Sequence, residues 1–330
     1  MLRIGIIGSG FGQYGLFPAF HKLPGCKVVS LCGKARPQLL AYCKSIGFEN
    51  LYTDWKKMLA KEDLDALVIA VTPGAQYDIA RTALRQGLHV FAEKPLAVNV
   101  KQARELVKLA TNKKLTHGLD FIFPEIAEWQ AVKMLIDTST LGKLNHLSVR
   151  WNFLSYNLRH DEHSWKTNAK QGGGALAFFF SHGLHYLEHF AGPITSSSSQ
   201  LLYRQDFPEG EVGANLQLKF VNGITGDAHI NANSAGLQEH VLTFFCEQGT
   251  IVLKNENDVV SSFSVEIFTQ GKRRKLKVKK DLGKPGEDER TKIVRKLAKR
   301  FVQSANAGKT MSPSFVDGLR VQQLLAKLRK

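Results

Sequence analysis

Cysteine is scarce. Cys26, Cys32, Cys43 and Cys246 are the only four in 330 residues, and no two form a C-x-x-C pair or stand at metal-ligand spacing. A disulfide framework and a cysteine-based metal site are therefore excluded, and free thiols in a reducing compartment are the plain reading. Long apolar runs are missing too. None reaches the length of a membrane span, and the chain enters a strand at once with no charged leader, so a cytoplasmic protein with no membrane partner is expected. Internal repeats are absent, and the polar stretch at 196–199 is too short to link domains, so it reads as a loop.

Acidic residues are outnumbered, with 29 Asp and Glu against 45 Lys and Arg and a formal charge of +16. Such a balance suits binding to nucleic acid, to membranes or to small anions. Much of the excess is local, however. Residues 272–280 (KRRKLKVKK) hold seven cations with Leu276 and Val278 interleaved, the pattern of an edge strand guarded by lysines. A second group, Arg290, Lys292, Arg295, Lys296, Lys299 and Arg300, lies opposite Ile293, Val294, Leu297, Ala298, Phe301 and Val302 at helical spacing, which makes it a solvated helix face. No nucleic-acid motif accompanies either group, so no nucleic-acid partner is expected.

What is present is organised around residues 3–13, RIGIIGSGFGQ. A buried strand runs into Gly8, Gly10 and Gly12, and glycine lets a backbone turn sharply and bring its N–H groups close to a pyrophosphate. Counted strictly as G-x-G-x-x-G from Gly8, the third position is Gln13. Pro18 favours a first helical turn, so a longer loop than usual and a short helix from near Phe17 are expected.

From residue 1 to about 118, strands at 3–7, 27–32, 66–71, 89–92 and 115–118 alternate with helices at 36–46, 55–59, 77–86 and 100–112. That alternation predicts a doubly wound α/β Rossmann domain with a parallel sheet, spanning 1–119. Beyond it, a helix at 125–136 precedes alternating runs at 144–153, 199–203, 213–220, 224–231, 241–246, 250–253 and 262–268. Asn222-Gly223 marks a hairpin turn. The second domain, 120–330, is thus expected to be α+β, with a large, mostly antiparallel open sheet and residues 172–191 as a helix across it.

In NAD enzymes an acidic residue after the second strand accepts hydrogen bonds from the ribose. Here the region reads Leu31-Cys32-Gly33-Lys34-Ala35-Arg36, without a carboxylate. Lys34 and Arg36 are suited to neutralise a 2′-phosphate, so NADP is favoured and NAD stays open.

Several further segments complete a pattern: Thr72-Pro73, Glu93-Lys94-Pro95, Trp165 upstream of Gly172-Gly173-Gly174, Gly249-Thr250, and the closing Pro313-Ser314-Phe315-Val316-Asp317-Gly318. In these residues and their order the chain resembles the Gfo/Idh/MocA family of nicotinamide-dependent oxidoreductases, which includes glucose–fructose oxidoreductase and inositol dehydrogenase. The resemblance covers nearly the full length. It implies a dehydrogenase or reductase acting on CH–OH or C=O, a polyhydroxylated substrate such as a sugar or cyclitol, and a homodimer or homotetramer. It also implies cofactor contacts at Gly8, Gly10, Phe11, Gly12, Gln13, Gly33, Lys34, Thr72, Pro73, Glu93 and Lys94. Lys94 would lie between nicotinamide and substrate and polarise the reacting oxygen. Trp165, His182 and His185 would meet the substrate, with His182 as acid/base.

The departures are as informative. Where the family helix carries an aspartate four residues before its histidine, this chain has Phe178; His185 replaces a further family acid, and Tyr77 stands where a histidine is frequent. Asp161 or Glu162, in the loop before Trp165, could supply the lost carboxylate. His182, His185, Tyr186 and His189 share a helical face, a spacing open to a metal, but no metal is expected because substrate-facing or core histidines explain it. Phe178 keeps alive an alternative of another class, a non-catalytic sensor that binds the cofactor as a signal. The cluster Phe178-Phe179-Phe180 suits helix packing against the sheet better than a less polar ligand.

Overall fold

The computed structural model describes residues 1–34 and 37–330, with side chains for all of these but Gln38. Two compact units divide the chain. Unit 1 comprises Met1–Phe121 and Leu282–Gln322, and unit 2 comprises Ile122–Asp281 and Gln323–Lys330.

Unit 1 begins with β1 (Leu2–Ile7), α1 (Phe17–Phe20), β2 (Cys26–Cys32), α2 (Pro37–Ser45), β3 (Leu51–Tyr52) and α3 (Trp55–Lys61). It continues through β4 (Ala66–Ile69), α4 (Pro73–Arg85), β5 (His89–Ala92), α5 (Val100–Asn112) and β6 (His117–Leu119). The six strands form one parallel sheet in the order β3-β2-β1-β4-β5-β6. Ala66 to Ile69 are all buried, as a strand covered on both faces requires. The order reverses between β1 and β4, which is where such sheets leave a crevice for a ligand.

Three expectations need correction. β3 was not foreseen, because two residues carry no periodicity. α4 starts at Pro73 instead of residue 77, since proline suits a first turn. The short helix expected from near Phe17 is α1, but the longer loop expected before it is in part a wide turn: over Gly12–Leu16 the Phe17 N–H reaches the Gly12 carbonyl, five residues back.

Unit 2 contains α6 (Ala127–Asp137), β7 (Leu144–Asn152), α7 (Tyr156–Arg159), α8 (Gly174–Phe178), α9 (Ser181–Ala191), β8 (Ile194–Leu202) and β9 (Gly213–Phe220). Then follow β10 (Thr225–Asn231), β11 (Glu239–Cys246), β12 (Gly249–Asn255), β13 (Ser264–Thr269) and β14 (Lys272–Leu276). They pair in the order β14-β13-β12-β11-β7-β10-β9-β8. Every neighbouring pair is antiparallel except β7 with β10. The first five residues of the basic run form an edge strand, β14, while 277–280 do not, and Gly223 takes a positive φ of 78° in the β9–β10 turn.

Two corrections apply here as well. The serines at 196–199 are not a loop: they pair with β9 along β8, at the other edge of the sheet, where polar side chains can face solvent. The helix expected over 172–191 is two helices, broken at Phe179-Phe180.

The last two helices are α10 (Thr291–Asn306) and α11 (Phe315–Leu328). The sequence division assigned all of 120–330 to the second domain, yet Leu282–Gln322 clusters with unit 1. The reason is the apolar face of α10. Its Phe301 meets the rings of Phe91 and Phe20 at centroid distances of 5.6 and 6.2 Å, covering the parallel sheet. No helix among the described residues is long and apolar enough to cross a membrane.

Candidate functional site

In unit 1 the parallel register brings the residues that follow each strand into one row. Gly8 donates its N–H to Cys32 O (2.8 Å), Ala70 to Ile7 O (2.8 Å), Glu93 to Ile69 O (2.9 Å) and Asp120 to Ala92 O (3.0 Å). Gly8 has φ +141°, and a Cβ there would collide with the Ala70 carbonyl oxygen, so only glycine fits between β1 and β4. Gly10 is exposed, and a Cβ on it would meet nothing. The loop is braced from one side: the Arg290 guanidinium lies 4.4 Å over the Phe11 ring and is gripped by Asp288 through two 2.8 Å bonds. Gln13 is half-buried on the first turn.

Gly33 ends the second strand region and Lys34 after it is exposed, while Arg36 lies outside the described residues. Thr72 is exposed ahead of Pro73, the first residue of α4, and its carbonyl accepts the Gln76 N–H at 2.8 Å.

The turn Glu93-Lys94-Pro95 follows β5, with a cis Lys94–Pro95 peptide bond. A residue not foreseen holds it. Gln76, 1% exposed, points its side-chain amide at the carbonyls of Glu93 (2.6 Å), Pro95 (3.0 Å) and Leu96 (3.2 Å). Two N–H groups thus serve three acceptors. Tyr77, one residue on, is turned elsewhere and donates to Glu105 of α5 at 2.5 Å. Asp120, 2% exposed, stands beside Glu93 past the adjacent strand β6. Burial, then the neighbouring Glu93, push the Asp120 carboxyl well above the usual carboxylate range, against the opposing pull of Lys94 and Arg290.

Unit 2 carries the other expected residues. Trp165 sits on a single turn capped by Ser164. Its carbonyl approaches Gly173 so closely that a Cβ at 173 would overlap it. Arg329 fastens the same segment, donating to Gly173 O at 2.5 Å and pairing with buried Glu211 at 2.6 Å. Trp165 meets Phe178 edge to face at 5.3 Å, and the Lys166 ammonium stands 5.2 Å over the Phe178 ring. The place of the family carboxylate is therefore aromatic and flanked by a cation.

His182, second residue of α9, is 8% exposed, with its ring edge-on to Phe123 at 5.1 Å. His185 is half-buried one turn further on. Phe178 and His182 lie on different helices, so the single helical face of the family pattern is not kept. His240 closes the aromatic wall, stacked on Trp151 at 4.3 Å with its Nε2 3.0 Å from the Tyr186 hydroxyl; burial pushes its imidazole down to about 3. Asp161 is tied to Arg204 at 2.7 Å, and the Asn157 amide donates to the Glu162 carboxylate at 3.3 Å. Among the described residues no three His, Cys, Asp or Glu side chains cluster as metal ligands would.

Asp120 had a signal that went unread: like Gly8 and Glu93, it stands just past the end of a parallel strand. Gln76 had none, because its role depends on where α4 packs.

The exposed Gly10, the crevice between β1 and β4 and the exposed Lys34 suit a dinucleotide. Comparison with known proteins agrees. A family model described as "Oxidoreductase family, NAD-binding Rossmann fold" matches residues 2–121, and the GFO/IDH/MocA C-terminal domain matches residues 129–252. An uncharacterized oxidoreductase of Synechocystis sp. is 28% identical, covering 100% of this chain and 93% of the relative. Levoglucosan dehydrogenase of Pseudarthrobacter phenanthrenivorans is 25% identical over 97% of this chain and 93% of its own. A solved levoglucosan dehydrogenase with NADH superposes at a TM-score of 0.83, with 20% identity and 99% and 96% coverage. A 3-ketoreductase of Actinomadura kijaniata with NADP and TDP-benzene does so at 0.80, with 21% identity and 99% and 97% coverage. By both halves of its sequence, the chain belongs to the Gfo/Idh/MocA family of oxidoreductases, with unit 1 carrying its nicotinamide-binding Rossmann fold.

Proposed function

We propose that the protein is a nicotinamide-dependent oxidoreductase that moves a hydride to or from a sugar, cyclitol or sugar derivative, with NADPH or NADP⁺ as the preferred cofactor. The observation that carries this reading is the built turn at Glu93-Lys94-Pro95: Gln76 is buried to hold it, at the end of a strand beside the dinucleotide crevice. The bound cofactor supplies or accepts the hydride. Lys94 polarises the reacting oxygen, and His182 exchanges its proton. Trp165 and His185 contact the substrate. Relatives named for levoglucosan and for a 3-keto group support a sugar-like ligand. The preference for NADP rests on Lys34 and on the absence of a carboxylate in residues 31–36. A homodimer or homotetramer in the cytoplasm completes the reading.

Phe178 supports one other reading, a cofactor-binding sensor without catalysis. Retention of both Lys94 and His182 favours the enzyme, since a retired site has no chemical need of either.

The test follows nicotinamide absorbance while the protein is offered sugars, cyclitols, sugar acids, and aromatic diols or ketones with NADP⁺ or NADPH. Turnover is expected for the sugar-like group, and Lys94→Ala lowers it by two or more orders of magnitude, about 3 kcal/mol or more of transition-state stabilisation, while NADPH affinity stays. Silence across the panel with tight NADPH binding would establish the sensor instead.

A further inference from the structure

The turn that carries Trp165 also carries Lys166, and the fold fixes both against α8. A Cβ on Gly173 would overlap the Trp165 carbonyl oxygen and come within 2.7 Å of the Lys166 carbonyl oxygen, so only glycine lets the turn lie so close. The Gly173 N–H donates to Asn168 O at 2.8 Å, and the Glu211 carboxylate, paired with Arg329, accepts the Leu176 N–H at 3.0 Å and holds the start of α8. Fixed in this way, Trp165, Lys166 and Phe178 form one half-buried surface: an indole edge-to-face on a phenyl ring at 5.3 Å, and an ammonium 5.2 Å over the same ring. The carboxylates of the neighbouring segments are engaged elsewhere. Asp161 and Asp206 pair with Arg204, Glu209 accepts from the Asn168 amide at 3.0 Å, and Glu162 accepts from the Asn157 amide. Among the described residues no carboxylate stands within ion-pair distance of the Lys166 ammonium.

We propose that this surface selects a sugar acid: the substrate carboxylate meets the Lys166 ammonium, and the apolar C–H face of the sugar covers the rings of Trp165 and Phe178. This rests on the oxidoreductase reading above, in which Trp165 contacts the substrate. A carboxylate at position 178 would accept hydrogen bonds from sugar hydroxyls and repel an acid. Phe178 removes that repulsion, and the negative face of its ring holds the ammonium in place. A half-buried ammonium is also less screened by water than an exposed one, so its pull on an anion is stronger. One ammonium with three N–H donors balances one carboxylate, whereas a phosphate brings about 1.5 to 2 negative charges and calls for more than one cation. The carboxylate serves as a handle and takes no part in hydride transfer.

The experiment offers the full chain matched sets of hexose, aldonate, uronate and hexose 6-phosphate with NADP⁺, and follows turnover and, by titration calorimetry with NADPH present, binding. The wild-type protein is expected to prefer an aldonate or uronate over its hexose by roughly tenfold or more in kcat/KM. Lys166→Gln lowers kcat/KM for the acid roughly 10- to 100-fold, the loss expected for one hydrogen bond between charged groups, and does so through KM. Lys166→Arg keeps most of the preference, and so does Lys170→Gln, which removes an exposed cation from the next turn. Equal use of hexose and acid overturns the proposal, as does a preference for the 6-phosphate. Equal losses in Lys166→Gln and Lys170→Gln overturn it as well, since they mark a general field and no site at Lys166. Silence of every sugar in turnover overturns the oxidoreductase reading, and calorimetry then decides the carboxylate subsite by itself: acid binding that Lys166→Gln abolishes upholds it, and no acid binding removes it.

Discussion

The side-chain amide of Gln76 donates to the Glu93 carbonyl at 2.6 Å, tying helix α4 to the turn that presents Lys94. The same amide reaches Pro95 O and Leu96 O, so the backbone on both sides of Lys94 depends on one side chain. Gln76→Leu keeps the volume and removes both N–H donors, leaving buried carbonyls unsatisfied at a cost of about 1–3 kcal/mol. The expected result is a lower melting temperature together with a lower kcat and nearly unchanged NADPH affinity, read by thermal unfolding and steady-state kinetics. A variant with wild-type kcat would show that the turn holds its shape without Gln76.

Lys34 offers a test of cofactor choice that spares the fold, because it is exposed. Lys34→Asp replaces a cation suited to a 2′-phosphate by an anion suited to a 2′-hydroxyl. Affinity for NADPH should fall by about tenfold or more, on the order of 1.4 kcal/mol, and affinity for NADH should hold or rise. Equal losses for both cofactors, measured by fluorescence titration, would remove Lys34 from the ribose end of the site.

Gly8 tests the crevice between β1 and β4. With φ at +141° and the Ala70 carbonyl in the way, Gly8→Ala has no unstrained conformation. Lower stability and loss of cofactor binding should come together. Gly10→Ala, where a Cβ meets nothing, should leave stability unchanged and weaken only cofactor binding. Calorimetry with and without NADPH separates the two effects.

Two buried histidines contribute to acid sensitivity. Burial lowers His240 from 6.5 to about 3, and lowers His117 from 6.5 to about 4 against the weaker upward pull of Asp317. Both are neutral in the folded chain, whereas the unfolded chain takes up protons below pH 6.5. Stability is therefore complete above that pH and is lost as pH falls towards the folded values, at about 1.4 kcal/mol per unit for each histidine. His240→Phe should show a shallower decline of melting temperature between pH 6.5 and 4 than wild type. Its stability at neutral pH should be lower, because Tyr186 loses the partner 3.0 Å away. An unchanged acid slope would mean that His240 is not what titrates.

Much of the molecule is legible without coordinates, and for stated reasons. Short apolar runs such as Ala66–Ile69, alternating with helical patterns, read as strands covered on both faces, which points to a parallel sheet with a crevice beyond its ends. Gly8 reads correctly because a tight approach leaves a mark in the residue type itself. Residues 196–199 mislead because four serines on an edge strand look like a loop until their pairing with β9 is seen. The break at Phe179-Phe180 is hidden for a similar reason, since a helical pattern does not record where the axis turns.

By itself, the sequence determined the family, the parallel and antiparallel halves, the glycine loop, and the presence of Lys94 and His182, because each is a local pattern or a residue type. Only the tertiary structure decided that α10 belongs with the parallel sheet, that Gln76 rather than Tyr77 holds the Glu93-Lys94-Pro95 turn, and that Asp120 is buried beside Glu93. Those three facts depend on which faces meet across tens or hundreds of residues. Burial and hydrogen-bond satisfaction act on the neighbours a side chain finds in space, and one-dimensional spacing does not name them.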